Sequence, residues 1–188
     1  LLITLVFLIN ILCNLIHLDI DLTAERRHSL SQETHTIINT LNDKLFIKVY
    51  LEGDFPAEFK KLQKATENLL KGLNSISNDN IDFEFINPNR SDNIKENSAL
   101  FRQLVALKLA PTNLDMSKMG QQVNQIIFPG AIIYYKNKQV AVNFLKQKSG
   151  ETPASNINTS IENLEFEFLS AIQHIIKEKL DKIAFLDG

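Results

Sequence analysis

The sequence predicts a mixed α/β domain carried behind an apolar amino-terminal segment. Two patterns carry the α/β prediction. Apolar residues alternate with strand period at residues 45–51 and 81–85 and again within 123–145, and between these stretches they return at helical spacing. A third observation sets the amino terminus apart: Leu1 to Ile16 hold no charged residue and are mostly Leu, Ile, Val and Phe.

The 188 residues suffice for one domain, or for one domain and the edge of a second. Hydrophobic residues make up 44% and charged residues 22%, the balance of a globular chain. Lys and Arg number 20 against 22 Asp and Glu, with no basic stripe and no acidic run, which argues against a nucleic-acid partner. The single cysteine, Cys13, lies in the apolar segment. An intrachain disulfide and a zinc site built on cysteines are thereby excluded.

Sixteen helical residues reach roughly 24 Å, about one turn short of a bilayer core. The chain opens on Leu rather than Met, and the missing turn is expected upstream. Three readings compete for this segment. A membrane helix fits the length and charge rules best. A secretory signal would need a small-x-small cleavage site, and His17-Leu18-Asp19-Ile20-Asp21 supplies none. A buried core helix is the third option, weakened by apolar residues on all faces of the segment. Arg26 and Arg27 follow the segment, but so do Asp19, Asp21 and Glu25, so charge leaves its orientation open.

The soluble part is read in order. Ser29-Leu30-Ser31-Gln32 supplies N-cap candidates and a Ser-x-x-Gln capping box, before a short helix with Ile37, Ile38 and Leu41 on one face. Leu45, Ile47, Val49 and Leu51 form one side of a strand that Gly53-Asp54 ends. Pro56 suits the first turn of a helix bearing Phe59, Leu62, Leu69, Leu70, Leu73 and Ile76. Ile81, Phe83 and Phe85 give a second strand, and Asn87-Pro88-Asn89 a turn. A third helix is expected over residues 93–107, a short strand over 112–117, and a polar turn at Met119-Gly120-Gln121-Gln122. Residues 123–135 and 138–145 predict a hairpin around Asn137, a residue type that tolerates positive φ. A loop at 147–158 leads into a long helix carrying Ile157, Ile161, Leu164, Phe168, Ile172 and Ile175, and Ile183 to Leu186 form a closing strand.

This order, β-α-β-α-β-β-(β)-α, implies parallel pairing across the early strand–helix–strand unit. A thioredoxin-like three-layer sandwich fits it. The expected partition is a truncated membrane helix at 1–17, a juxtamembrane segment and short helix at 18–43, the α/β domain at 44–180, and at 181–188 the first strand of a following α/β domain.

No motif for chemistry emerges. Disulfide exchange in such a fold needs a low-pKa thiolate where the first strand meets the next helix, and Gly53-Asp54-Phe55-Pro56 stands there. Pro111 precedes a short strand, where a cis proline would sit in that fold; a trans proline ending the third helix explains it equally. His17, His28, His35 and His174 show no i, i+4 spacing and no His-Glu-x-x-His, so a metal site is not expected. Glu162, Glu165 and Glu167 resemble a carboxylate cluster, but Glu162 and Glu165 lie beside the apolar stripe of the last helix and are most simply a solvated face. No P-loop, dinucleotide fingerprint or nucleophile elbow occurs. Phe128-Pro129-Gly130 interrupts a strand pattern. A bulge or edge kink is the favoured explanation, a partner-facing bend the alternative. Asp54, Phe55, Pro56, Phe128, Pro129 and Gly130 are the candidate partner-contact residues, with no catalytic, cofactor-binding or metal-binding residue among them.

Four stretches resemble a known family. They are the run from Asp21-Leu22-Thr23-Ala24-Glu25-Arg26-Arg27 to Ser31, Val49-Tyr50-Leu51-Glu52-Gly53-Asp54-Phe55-Pro56-Ala57, Ile126-Ile127-Phe128-Pro129-Gly130-Ala131, and Ser160-Ile161-Glu162-Asn163-Leu164-Glu165-Phe166-Glu167. Together the sequence resembles the GldG family of gliding-motility-associated ABC transporter substrate-binding proteins. That resemblance implies an accessory subunit working beside an ABC permease and a separate ATPase. It also implies anchorage in the inner membrane, with the folded domain in the periplasm. It carries over no catalytic residue and no cofactor. Two functions remain open. One is a transport accessory that binds a solute or regulates the permease. The other is a structural adaptor of a gliding or secretion machine that binds only protein, itself included as a homo-oligomer.

Overall fold

The computed structural model describes residues 30–90, 94–118, 121–146, 150 and 152–177. The expected membrane segment and the closing strand at 183–186 lie outside these residues. Among the described residues no helix is long and apolar enough to cross a membrane.

The elements run α1 (Gln32–Ile38), β1 (Leu45–Val49), α2 (Ala57–Ile76), β2 (Ile81–Phe85), α3 (Ile94–Ala106), β3 (Thr112–Lys118), β4 (Gln121–Ile127), β5 (Gly130–Tyr135), β6 (Lys138–Asn143) and α4 (Pro153–Ile176). Four strands form a mixed sheet in the order β2-β1-β5-β6, and β3 and β4 form a separate two-stranded ribbon. β1 is parallel to β2, as a strand–helix–strand unit requires, and antiparallel to β5. The hairpin β5–β6 completes the sheet.

Helices flank the sheet on both faces. Leu45, Ile47 and Val49 of β1 and Ala131, Ile133 and Tyr135 of β5 point into the larger core. There they meet Leu62, Leu70 and Leu73 of α2 and Leu164, Phe168 and Ile172 of α4. The rings of Phe144 and Phe168 lie 5.4 Å apart in this layer. On the opposite face Tyr50 and Ile132 pack with Phe128, Leu104 and Leu109, close to α3.

Four local expectations change. Residues 123–135 are not one strand: the chain leaves the ribbon at Ile127 and enters the main sheet at Gly130. Gln121 and Gln122 belong to β4 rather than to a turn. In the β5–β6 turn it is Lys136, not Asn137, that takes positive φ, at 52°. α4 starts at Pro153, because Thr152 caps it by accepting from the Ser155 N–H at 3.2 Å. α1 is capped by Ser31, one of the expected N-cap candidates, whose hydroxyl accepts from the Thr34 N–H at 3.2 Å; Ser29 of the expected capping box lies outside the described residues. Pro111 is trans, as no described peptide bond is cis.

α1 shares the larger core through Ile38, and Leu41 just after it joins the same core. A Cβ at Gly72 of α2 would come within 3.2 Å of the Leu30 side chain, which places Leu30 directly over that glycine. The expected solvated face of α4 is half correct. Glu162 is exposed, but Glu165 accepts from the Ser31 N–H at 2.8 Å and from the Thr34 hydroxyl. Glu167 pairs with Lys146 at 2.6 Å. Burial alone would raise the Glu165 carboxyl; hydrogen bonds from Thr34 and Ser31, helped by His35, outweigh it and hold the pKa below its ordinary 4.5. The unfolded chain therefore binds this proton more readily than the folded one. The stabilisation is present above the ordinary carboxylate range and fades as pH falls through it. Glu165→Ala is expected to cost about 1–3 kcal/mol at neutral pH, with a smaller difference from the parent near pH 3. Thermal melts across that range check it.

Candidate functional site

Both candidate stretches meet at one end of the sheet. β1 ends at Val49, which stands opposite Ala131 of β5, and the next N–H, that of Tyr50, donates to the Gly130 carbonyl at 2.9 Å. The Tyr50 hydroxyl is pushed up to about 12, by burial first and then by Tyr134 and Glu84. It is thus a neutral hydroxyl at any physiological pH.

From Tyr50 the chain turns into α2. Leu51 is fully buried, and Gly53 takes φ 152°, a conformation that residues with a Cβ rarely adopt. Phe55 folds back under the turn, 5% exposed, with its ring 6.2 Å from that of Phe59. Asp54 stays at the surface, 3.9 Å from Lys60. Both groups are well exposed, so this ion pair adds little stability. Of this stretch, Asp54 and part of Pro56 are accessible to a partner, and Phe55 belongs to the core.

The second stretch is enclosed. Phe128 is fully buried, with its ring 5.1 Å from that of Phe101, and Pro129 and Gly130 are buried beside it. The Phe144 N–H donates to the Pro129 carbonyl at 2.9 Å. Asn143, the last residue of β6, holds the chain after α3: its Oδ1 accepts from the Ala110 N–H at 2.7 Å and its Nδ2 donates to the Lys108 carbonyl at 3.1 Å. Asn89 Nδ2 donates to the Ile126 carbonyl at 2.9 Å, and the Asn89 N–H to Asn87 Oδ1 at 2.8 Å. Phe128-Pro129-Gly130 is therefore a buried joint where the chain passes from ribbon to sheet, and of the three Pro129 lines a surface cleft.

A shallow cleft of about 290 Å³ opens beside this joint, lined by Ala110, Pro111, Thr112, Pro129, Asn143 and Leu145. At the opposite end of the sheet a second cleft of about 360 Å³ lies between Tyr135, Lys136, Lys138 and Ile176. There Lys138 Nζ donates to the Lys177 carbonyl at 2.8 Å and caps α4. Neither cleft gathers a nucleophile with a base. Among the described residues no three His, Cys, Asp or Glu side chains are grouped to hold a metal ion.

The sequence reading missed the asparagine clamps, since Asn89 and Asn143 act across 37 and 33 residues of chain. Asn87-Pro88-Asn89 was legible only as a turn.

A family model described as a domain of unknown function, DUF7088, matches residues 24–134, more than half of the chain. The match ends within β5. No curated protein and no solved structure matches the chain.

Proposed function

We propose that this chain, which belongs to the DUF7088 family, is a non-catalytic accessory subunit of an ABC transporter complex associated with gliding motility. It is anchored in the inner membrane by residues 1–17, and its α/β domain stands in the periplasm. The fold is a thioredoxin-like three-layer sandwich in this reading. Parallel β1 and β2 joined by α2, the β5–β6 hairpin on the other side of β1, and α4 returning over the sheet support it, with the β3–β4 ribbon as an insertion. Gly53-Asp54-Phe55-Pro56 stands where a redox member would carry its thiols, which fits a binding role.

One observation carries the proposal: the chain enters the domain through a fixed joint. Leu30 sits over Gly72, Ser31 and Thr34 bond Glu165, and Thr34 is fully buried. The domain thus holds its first described residues in one fixed place, the point from which the preceding part of the chain would mount it on an anchor. Such mounting suits a subunit that must face a permease.

Mild-detergent extraction of the tagged protein from native membranes, with mass spectrometry of what co-purifies, tests this. A multi-span permease and a P-loop ATPase are the expected partners. Recovery of envelope or motility proteins without an ATPase would overturn the transporter assignment in favour of a structural adaptor. The open, shallow shape of both clefts favours that second reading over an enclosed solute site.

A further inference from the structure

A strand at a sheet edge presents unpaired N–H and C=O groups, and proteins blunt such edges with charged residues, prolines or bulges. Among the described residues four strands have an open side: β2 and β6 at the flanks of the sheet, and β3 and β4 in the ribbon. β2 carries Asp82 and Glu84, β3 carries Asp115 and Lys118, and β6 opens with Lys138. β4 differs. Its seven residues, Gln121-Gln122-Val123-Asn124-Gln125-Ile126-Ile127, include no charge, no proline and no glycine. Its register with β3 runs unbroken from Lys118↔Gln121 to Thr112↔Ile127, so no bulge turns it away.

The ribbon also stands off from the body of the domain. Its base is held, with Ile127 and Leu114 buried and Asn89 on the Ile126 carbonyl. Beyond the base no other described helix or strand packs along it. A lone two-stranded ribbon is marginally stable in water and is normally completed by further strands or a helix.

We propose that the outer edge of β4 pairs with the same edge of a second copy of this chain. The two strands run antiparallel across a two-fold axis, and the two ribbons become one four-stranded sheet. The neutrality of β4 selects this occupant. Antiparallel pairing of a strand with its own image brings residues near the axis close to their symmetry mates, where like charges repel. Among the four open strands β4 alone carries no charged residue at all. Glutamine amides both donate and accept, so those of β4 can bond their own kind across the axis, while the Asn124 amide donates to Asp115 within the ribbon at 2.8 Å. A strand from an unrelated protein would need no such neutrality. This inference stands apart from the transporter proposal, because a homodimer is compatible with either function.

The test uses the 188-residue chain in mild detergent, with mass measured by light scattering over a concentration series. The parent is expected to form a two-chain particle. Gln122→Lys with Gln125→Lys, and separately Gln122→Glu with Gln125→Glu, which leave the Asn124–Asp115 bond of the ribbon intact, are expected to weaken association by about tenfold or more. An equimolar mixture of the two variants should restore the pair. Thermal melts of both variants, matching the parent, show that the domain still folds. Single cysteines at Gln122, Val123, Asn124 or Gln125, in a Cys13→Ser background, should cross-link at one or two of these positions. A parent chain that remains single at every concentration overturns the proposal. So does a two-chain particle that both charge variants leave intact.

Discussion

Val49→Asp is expected to abolish the cooperative thermal transition of this domain. Val49 is fully buried at the end of β1, between Phe85 of β2 and Ala131 of β5, with its side chain in the larger core. The neighbouring lysines, Lys44 just before β1 and Lys48 within it, pair with Asp82 and Glu84 and leave a carboxylate in that layer without their help. Burying an unpaired charge costs roughly 3–5 kcal/mol or more in proteins, against a total stability of about 5–15 kcal/mol. Strand alternation gives Phe83 the same standing as Val49, but the structure separates them. Phe83 is half-buried on β2, the edge strand, with its ring 6.2 Å from that of Phe85. A carboxylate there reaches water along the open edge. Phe83→Asp is therefore expected to cost about 2 kcal/mol, chiefly lost apolar contact, and to retain a cooperative melt. Circular dichroism melts of the two variants check both statements. A Val49→Asp chain that melts like the parent would show that β1 turns its other face inward.

The elements that periodicity fixes were legible. α2, β2 and α3 fall where apolar spacing places them, because each buries a single face along its length and the spacing records that face. The failures share another origin. At residues 123–135 apolar residues stand on both sides of the Phe128-Pro129-Gly130 interruption while the chain changes sheets, and the partners that decide this, β3 on one side and β1 with β6 on the other, lie outside the segment. Thr152-Pro153 was a readable helix start, hidden by the polar residues that follow it. Glu165 sits on the border of the α4 stripe, where water and a docking helix leave the same pattern; only the position of α1 distinguishes them. Of the candidate contact residues, Asp54 and Pro56 kept an accessible surface. Phe55, Phe128, Pro129 and Gly130 did not, because hydrophobic and chain-breaking residues in one motif suit an exposed bend and an internal joint equally well. That the two motifs share one end of the sheet follows from the pairing of β1 with β5, which neither motif contains.

Gly130→Ala tests whether that joint is as rigid as its hydrogen bonds imply. A Cβ at Gly130 would lie 2.5 Å from the Val142 carbonyl oxygen and 2.6 Å from Leu109 Cδ1. The requirement for glycine is thus close approach rather than a left-handed φ. The two neighbours differ in what they can yield. The end of Leu109 can rotate into another rotamer. The Val142 carbonyl belongs to the β6 backbone and is held on both sides. Gly130 stands opposite Asn143 in the ladder, the Phe144 N–H donates to the Pro129 carbonyl, and the Asn143 side chain bonds Ala110 and Lys108. Moving the carbonyl away by several tenths of an ångström strains every one of these bonds. The expected loss is about 3 kcal/mol, the upper part of the range for overpacking a rigid site. For a chain of this size that lowers Tm by roughly 10 °C. Adding Leu109→Ala relieves only the side-chain half of the conflict and opens a cavity in the smaller core, so the double variant is expected to be less stable than Gly130→Ala alone. Recovery of stability in the double variant would mean that Leu109, and not the β6 backbone, sets the limit. A single variant melting within about 2 °C of the parent would mean that β6 shifts freely at this end, and that the asparagine clamp does not hold it.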